Sequence, residues 1–245
     1  MTDSRRKTAN EIYGCALLAG GEGKRLGGVN KAQLVVPEKP QDSDPAEVLQ
    51  EKERAETLLT RTARILFGTG LPCYLSVAAY EMDAPEGWAV VDDRDYLPGL
   101  LPDSGFAGPM GGIYSCLRKA QEDGLDGLFF VPCDAPGFEA DVIGKMLPHL
   151  QNDMAGQGNA AGQGTEPGDA SPDIMVLQTP DGRDQMTFAY YAVNCLPAIE
   201  KQLAAGRYRL RGLLEEGIRF VRLLTTEEGL PEERFRNLNT LEDID

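Results

Sequence analysis

The chain predicts an α/β fold, a single three-layer, doubly wound and mostly parallel sheet. Three observations carry this. Apolar runs of strand length recur along the first 150 residues, separated by stretches of helical periodicity, as in a chain that builds a parallel sheet by crossovers. The first run breaks into a loop with five glycines and three fixed cations, Lys24, Arg25 and Lys31. Two later runs end directly on acidic residues, Asp92-Asp93 and, after Pro132-Cys133, Asp134. In doubly wound sheets ligands sit at the carboxyl ends of the strands, so topology alone gathers these three features on one edge.

The elements follow in order. Residues 1–12 read as a polar tail, and 13–245 as one domain. The first strand is Tyr13–Ala19, and a short strand is expected at Gln33–Val36. A polar insertion with three prolines covers 37–52. A helix is predicted for Glu53–Phe67, with Leu58, Leu59, Thr62, Ile65 and Leu66 on one face. Strands follow at Cys73–Ala78 and Trp88–Val91, then an irregular Pro- and Gly-bearing loop, Leu97–Ala107. Gly108-Pro109-Met110-Gly111-Gly112 leads into a helix with Ile113, Tyr114, Leu117 and Ala120 inward. Gly127–Val131 is a strand of the fully buried type, and Glu139–Leu150 a helix. Residues 151–172, rich in Gly, Ala, Gln and Asn, read as a disordered loop. Strands at Ile174–Leu177, Thr187–Val193 and Ile218–Leu223 and helices at Leu196–Ala205 and Arg209–Glu215 complete the domain.

A length of 245 residues suits one such domain, with enough chain to bury a sizeable core. The formal net charge of -15 disfavours nucleic acid and anionic membranes as partners. No apolar run is long enough to span a bilayer, and no signal-length segment follows Arg5-Arg6, so a cytoplasmic protein is expected. The five cysteines, Cys15, Cys73, Cys116, Cys133 and Cys195, are odd in number and widely spaced without a C-x-x-C. They read as reduced core thiols. The single histidine, His149, falls at a helix end and reads as a surface or capping residue.

Against that acidic background the basic loop at 24–31 stands out. Glycines let backbone N–H groups close on an anion, and Lys and Arg supply the charge a phosphate chain needs. The loop is no Walker A motif, because Lys24 is followed by Arg25 and Leu18 occupies the first glycine position. Nor is it a dinucleotide fingerprint, because Leu26 replaces the third glycine. Asp134, fixed by Pro136, is placed to bind Mg²⁺, which takes one or two carboxylates together with phosphate oxygens and water. Capping of the next helix is its alternative role, made less direct by Pro136 and Gly137. Asp93 can accept hydrogen bonds from a ribose or base, or add a second carboxylate. Arg25 and Lys31 can neutralise charge at a reacting phosphorus. No Ser-His or Cys-His pair is visible, which points to direct in-line transfer catalysed by positioning and charge.

Leu18-Ala19-Gly20-Gly21, Arg25, Gly27-Gly28 and Lys31 resemble the opening of the Rossmann-like nucleotidyltransferases of glycosyltransferase-A-like fold. Asp93, Gly108–Gly112, Pro132-Cys133-Asp134-Ala135-Pro136, Gly182–Thr187, Ala205–Leu210 and Asn237-Leu238-Asn239-Thr240 narrow the resemblance to the molybdenum cofactor guanylyltransferase family. It covers nearly the whole chain outside the tail, the 37–52 insertion and the 151–172 loop. The resemblance implies that the terminal phosphate of molybdopterin attacks the α-phosphorus of GTP, releasing pyrophosphate with Mg²⁺ as cofactor. By position it places Leu18, Ala19, Gly20 and Gly21 against the nucleotide. Lys31 and Asp93 fall on GTP, and Asp134 on Mg²⁺ and the phosphates. Asn237, Asn239 and the Gln185 region fall nearer the pterin. Molybdoenzymes or cofactor-delivery proteins would be further partners. Ser76 stands where some members have asparagine, and Met186 where proline is common. The rivals are a molybdopterin cytidylyltransferase, a sugar-phosphate nucleotidyltransferase and a nucleotide-binding module without turnover.

Overall fold

A computed structural model describes residues 12–20, 31–35, 56–78, 82–154 and 171–238. Seven strands form one sheet in the order β3-β2-β1-β4-β6-β5-β7. They are β1 (Tyr13–Leu18), β2 (Cys73–Val77), β3 (Ala89–Asp92), β4 (Gly127–Pro132), β5 (Ile174–Gln178), β6 (Asp184–Ala192) and β7 (Phe220–Leu224). β3, β2, β1 and β4 run parallel, β6 runs antiparallel to both β4 and β5, and β7 is parallel to β5. The doubly wound, mostly parallel sheet expected from the sequence is the one observed. The helices are α1 (Leu58–Phe67), α2 (Asp93–Tyr96), α3 (Gly108–Glu122), α4 (Asp141–Met154) and α5 (Leu196–Ala204).

Alternation along the strands builds two core layers. Cys15 and Leu17 of β1, Phe129 and Val131 of β4, and Phe188 and Tyr190 of β6 pack with α1 and α4 on one face. Ala16, Leu128, Phe130 and Tyr191 pack with α3 and α5 on the other. β4 is buried at every position from Gly127 to Pro132, which is why it reads as an unbroken apolar run. α1 starts where Thr57 caps it, its hydroxyl accepting from the Thr60 N–H at 3.1 Å.

Several boundaries differ from expectation. The strand expected at Gln33–Val36 is instead a 3-10 turn, Lys31–Gln33, followed by one antiparallel bridge from Val35 to Thr57. Val35 is exposed there, and among the described residues no strand lies beside it to supply a ladder. Arg209–Glu215 is a 3-10 segment over Leu210–Glu215 and not an α-helix, confined between Gly206 and Gly217, both at positive φ. Gly108–Gly112 is itself the first turn of α3. Asp92 and Asp93 do not merely end β3, since the Asp92 carboxylate accepts from the Arg94 N–H at 2.9 Å and starts α2. α4 runs through Met154, so the first four residues of the expected 151–172 loop are helical. Residues 155–170 of that loop, the 37–52 insertion and the tail to Glu11 lie outside the described residues. All five cysteines are buried thiols outside any disulfide. No helix among the described residues is long and apolar enough to cross a membrane.

Tyr13, Phe129 and Tyr190 form an aromatic cluster, edge-on at both Tyr13 contacts and tilted between Phe129 and Tyr190, with Tyr13 and Tyr190 centroids 5.6 Å apart. The Tyr190 ring lies where a Cβ on Gly127 would stand. Gly127→Ala should therefore overpack the centre of the sheet and lower unfolding free energy by about 1–3 kcal/mol, read by urea denaturation. An unchanged midpoint would mean that the ring shifts freely.

Candidate functional site

The carboxyl ends of three strands are stitched side by side. The Cys133 N–H donates to the Leu18 carbonyl at 3.1 Å, and the Ala19 N–H donates to the Ser76 carbonyl at 3.1 Å. The residues that leave β1, β2 and β4 therefore emerge at one level. They floor a cleft of about 190 Å³, walled on one side by Asp93 and the start of α3 and on the other by Thr187 and Asn237.

Asp93 is almost wholly buried, with 3% exposure, at the first turn of α2. Its Oδ1 has no hydrogen-bond partner among the described residues. Burial pushes the carboxyl up to about 7, opposed by the Ser115 hydroxyl, raised further by the charge of Asp92, and opposed also by the Ser76 hydroxyl. Ser115 Oγ also lies 3.0 Å from the Gly111 carbonyl. A hydroxyl has one proton, so Ser115 can donate to Gly111 and accept from Asp93 at once only when Asp93 is protonated.

The start of α3 comes unusually close to these groups. A Cβ on Gly112 would overlap Ser76 Oγ, and one on Gly111 would stand 3.0 Å from Asp93 Oδ2. Only glycines admit that approach. No side chain caps this fifteen-residue helix, whose residues Gly108, Pro109 and Gly112 line the cleft. Its first-turn N–H groups carry the positive end of the helix dipole.

Asp134, half-buried, lines the cleft between the two walls. The carbonyl behind it accepts from the Leu238 N–H at 2.7 Å, which ties its loop to the C-terminal segment. Among the described residues no group of three or more His, Cys, Asp or Glu could form a metal cage. A half-buried carboxylate in a cleft with room for phosphates, across from the more deeply buried Asp93, is a donor set that fits Mg²⁺, which keeps its waters and borrows substrate oxygens.

Of the residues singled out from sequence, Leu18, Ala19, Gly20, Asp93, Asp134 and Asn237 come together at the cleft. Lys31 opens the 3-10 turn Lys31–Gln33, whose next residue, Ala32, also lines it. Gln185 does not line the cleft, because its amide donates to the Thr179 hydroxyl at 3.2 Å in the β5–β6 turn. His149 is paired with Glu228 at 2.9 Å. Gly21, Arg25 and Asn239 lie outside the described residues. Ser76, Ser115, Phe106 and Thr187 carried no role in the sequence reading. A serine at a strand end, or one turn into a helix, has no signal of its own until the fold sets it against a carboxylate.

The sheet order and the cleft at its carboxyl edge define the class as doubly wound, Rossmann-like α/β proteins with a site at the turn of the strand order. A family profile described as the MobA-like NTP transferase domain matches residues 15–220, and the chain belongs to that family. It is 24% identical over 228 residues to a molybdenum cofactor guanylyltransferase of Haemophilus influenzae, covering 93% of each chain. In fold it is similar to a molybdopterin-guanine dinucleotide biosynthesis protein A from Archaeoglobus fulgidus, with a TM-score of 0.59, 15% identity and 95% of each chain covered. It is similar also to a 2-C-methyl-D-erythritol 4-phosphate cytidylyltransferase from Thermus thermophilus, with a TM-score of 0.51, 12% identity and 94% of each chain covered.

The raised carboxyl of Asp93 has a consequence for stability. The folded protein holds this proton to higher pH than the unfolded chain, so stability falls as pH rises from about 4 and levels off above about 7. Asp93→Asn removes the titration, so its stability relative to wild type should rise through that window by up to about 4 kcal/mol. Urea denaturation from pH 4.5 to 8 measures this. Parallel wild-type and variant curves would refute the buried titration.

Proposed function

We propose that this protein transfers GMP from GTP to molybdopterin, in a Mg²⁺-dependent reaction that releases pyrophosphate and yields the guanine dinucleotide form of the molybdenum cofactor. The observation that carries this reading is that Asp93 lines the cleft beside the N-terminus of α3, which its own N-cap residue leaves without a side-chain cap. A guanine edge offers N–H donors to a carboxylate and the O6 acceptor to backbone N–H groups. Cytosine presents its N3 acceptor where guanine presents N1–H, and so meets a carboxylate poorly. Two donors arriving at Asp93 would favour its charged form and offset its burial.

The roles divide by position. By the family resemblance, the backbone of Leu18, Ala19 and Gly20 would contact the nucleotide, and Gly21, Arg25 and Lys31 would serve the polyphosphate. Asp134 would hold Mg²⁺, which supplies charge neutralisation across the phosphate oxygens. The attacking group is a phosphate oxygen of molybdopterin, held on the wall of Thr187 and Asn237. It forms a bond to the α-phosphorus as the bond to pyrophosphate breaks. Arg25 and Lys31 stabilise the charge that develops on the transferred phosphoryl oxygens. This displacement needs positioning and no covalent enzyme intermediate. The identity to curated guanylyltransferases supports GTP and molybdopterin as substrates.

The test is a thermal-shift panel with GTP, CTP, ATP and UTP, each with and without Mg²⁺. A ligand specific to the native state adds about 2.7 kcal/mol at a hundredfold excess over its Kd. A Mg²⁺-dependent shift with GTP alone is expected. Asp134→Asn should keep the fold and lose the Mg²⁺ dependence. A CTP-selective shift would move the assignment to cytidylyl transfer, and a normal metal response in Asp134→Asn would remove that residue as the metal carboxylate.

A further inference from the structure

The loop that carries Asp134 is gripped from behind by two arginines remote from it in sequence. Arg61, on α1, donates from Nη1 to the Phe138 carbonyl at 3.1 Å and from Nη2 to Glu139 Oε1 at 2.8 Å. Arg234, in the 3-10 turn Glu232–Phe235, donates from Nη1 to the Gly137 carbonyl at 3.3 Å and from Nη2 to Asp141 Oδ2 at 3.2 Å. Each guanidinium thus takes one of two consecutive loop carbonyls and one acid at the approach to α4. The Leu238 N–H takes the carbonyl of Asp134 itself.

The C-terminal segment is seated firmly enough to hold this position. Phe235 is buried edge-on to Phe188 with centroids 5.3 Å apart, and Leu238 is buried four residues beyond Arg234. At Gly137 the two backbones touch, since a Cβ there would overlap the Glu233 carbonyl. Stability alone does not account for the arginines. Both ion pairs are partly solvent-exposed, where such pairs contribute little. Arg234 Nε is buried without an acceptor, which opposes folding. What a planar fork provides, and an ammonium does not, is a carbonyl and a carboxylate held at a fixed angle.

We infer that Arg61 and Arg234 are positioning residues that together fix the loop presenting the Asp134 carboxylate to the cleft. This rests on the reading of Asp134 as the Mg²⁺ carboxylate. Groups that orient a metal carboxylate from outside typically govern metal affinity by ten- to a hundredfold, about the size of effect to look for here.

The experiment is calorimetric titration of GTP into the full chain over a series of Mg²⁺ concentrations, with thermal midpoints in parallel. Wild type is measured first. Arg61→Ala and Arg234→Ala should each raise the Mg²⁺ concentration for half-maximal GTP binding about tenfold. Metal-free GTP binding and the thermal midpoint should stay near wild type. Lysine at either position should recover only part of the loss. Asp141→Asn and Glu139→Gln, which leave each carbonyl bond in place, should produce smaller shifts and serve if an alanine variant fails to fold. Wild-type metal dependence in all folded variants would overturn the clamp while leaving the guanylyltransferase reading intact. Equal losses with and without metal would overturn it too, as a general loosening of the cleft. A wild type without any Mg²⁺-dependent GTP binding would overturn both.

Discussion

The cleft depends on the register between β1 and β4. From Tyr13 opposite Gly127 to Leu18 opposite Pro132 the two strands pair without a break, at the point where the sheet order turns from β2 to β4. That register makes Gly20 and Asp134 leave the sheet together. Side chains alternate faces along a strand, so a slip by one residue would exchange Phe129 and Phe130 between the two cores. The same slip would separate the Leu18 carbonyl from the Cys133 N–H. The packing of the core and the assembly of the site are therefore one constraint.

On that frame the cleft spends stability at Asp93. A carboxyl buried with an oxygen unpartnered is costly in a free protein. The cost falls if the group stays neutral, which its burial and the charge of Asp92 favour, while the Ser115 and Ser76 hydroxyls oppose this by stabilising the charged form. A ligand that brings N–H donors converts the penalty into affinity, because it satisfies a group that the fold leaves unsatisfied. Selectivity of this kind rejects a base lacking the donors more strongly than shape could.

Much of the fold was legible because parallel strands buried on both faces write themselves as apolar runs, as in Gly127–Pro132. That Leu18 to Gly20, Asp93 and Asp134 gather at one cleft was legible for the same topological reason. What escaped was set by tertiary contact. Gly108–Gly112 reads as the lead into a helix, yet forms its first turn, and the close approach to Ser76 and Asp93 that calls for glycine there is visible only in the fold. Gln33–Val36 has strand composition, but among the described residues it meets no neighbouring strand, and a single bridge from Val35 does not make a ladder. Arg61 and Arg234 carry no local signal, because their partners lie 77 and 97 residues away.

The reversal of β6 completes the arrangement. An antiparallel strand brings its amino-terminal end to the carboxyl end of its neighbour. β6 pairs Ala189 with Phe130, so Thr187, two residues earlier, lies level with the end of β4. A further parallel strand would have presented its carboxyl end there and another crossover helix above it. The reversal instead leaves that side of the cleft open to the C-terminal segment, which places Asn237 in it and grips the Asp134 loop through Arg234. The cleft thus has one wall from the parallel half of the sheet and one from the antiparallel half. Asp134 stands at their junction, a geometry suited to two ligands that must meet at one carboxylate.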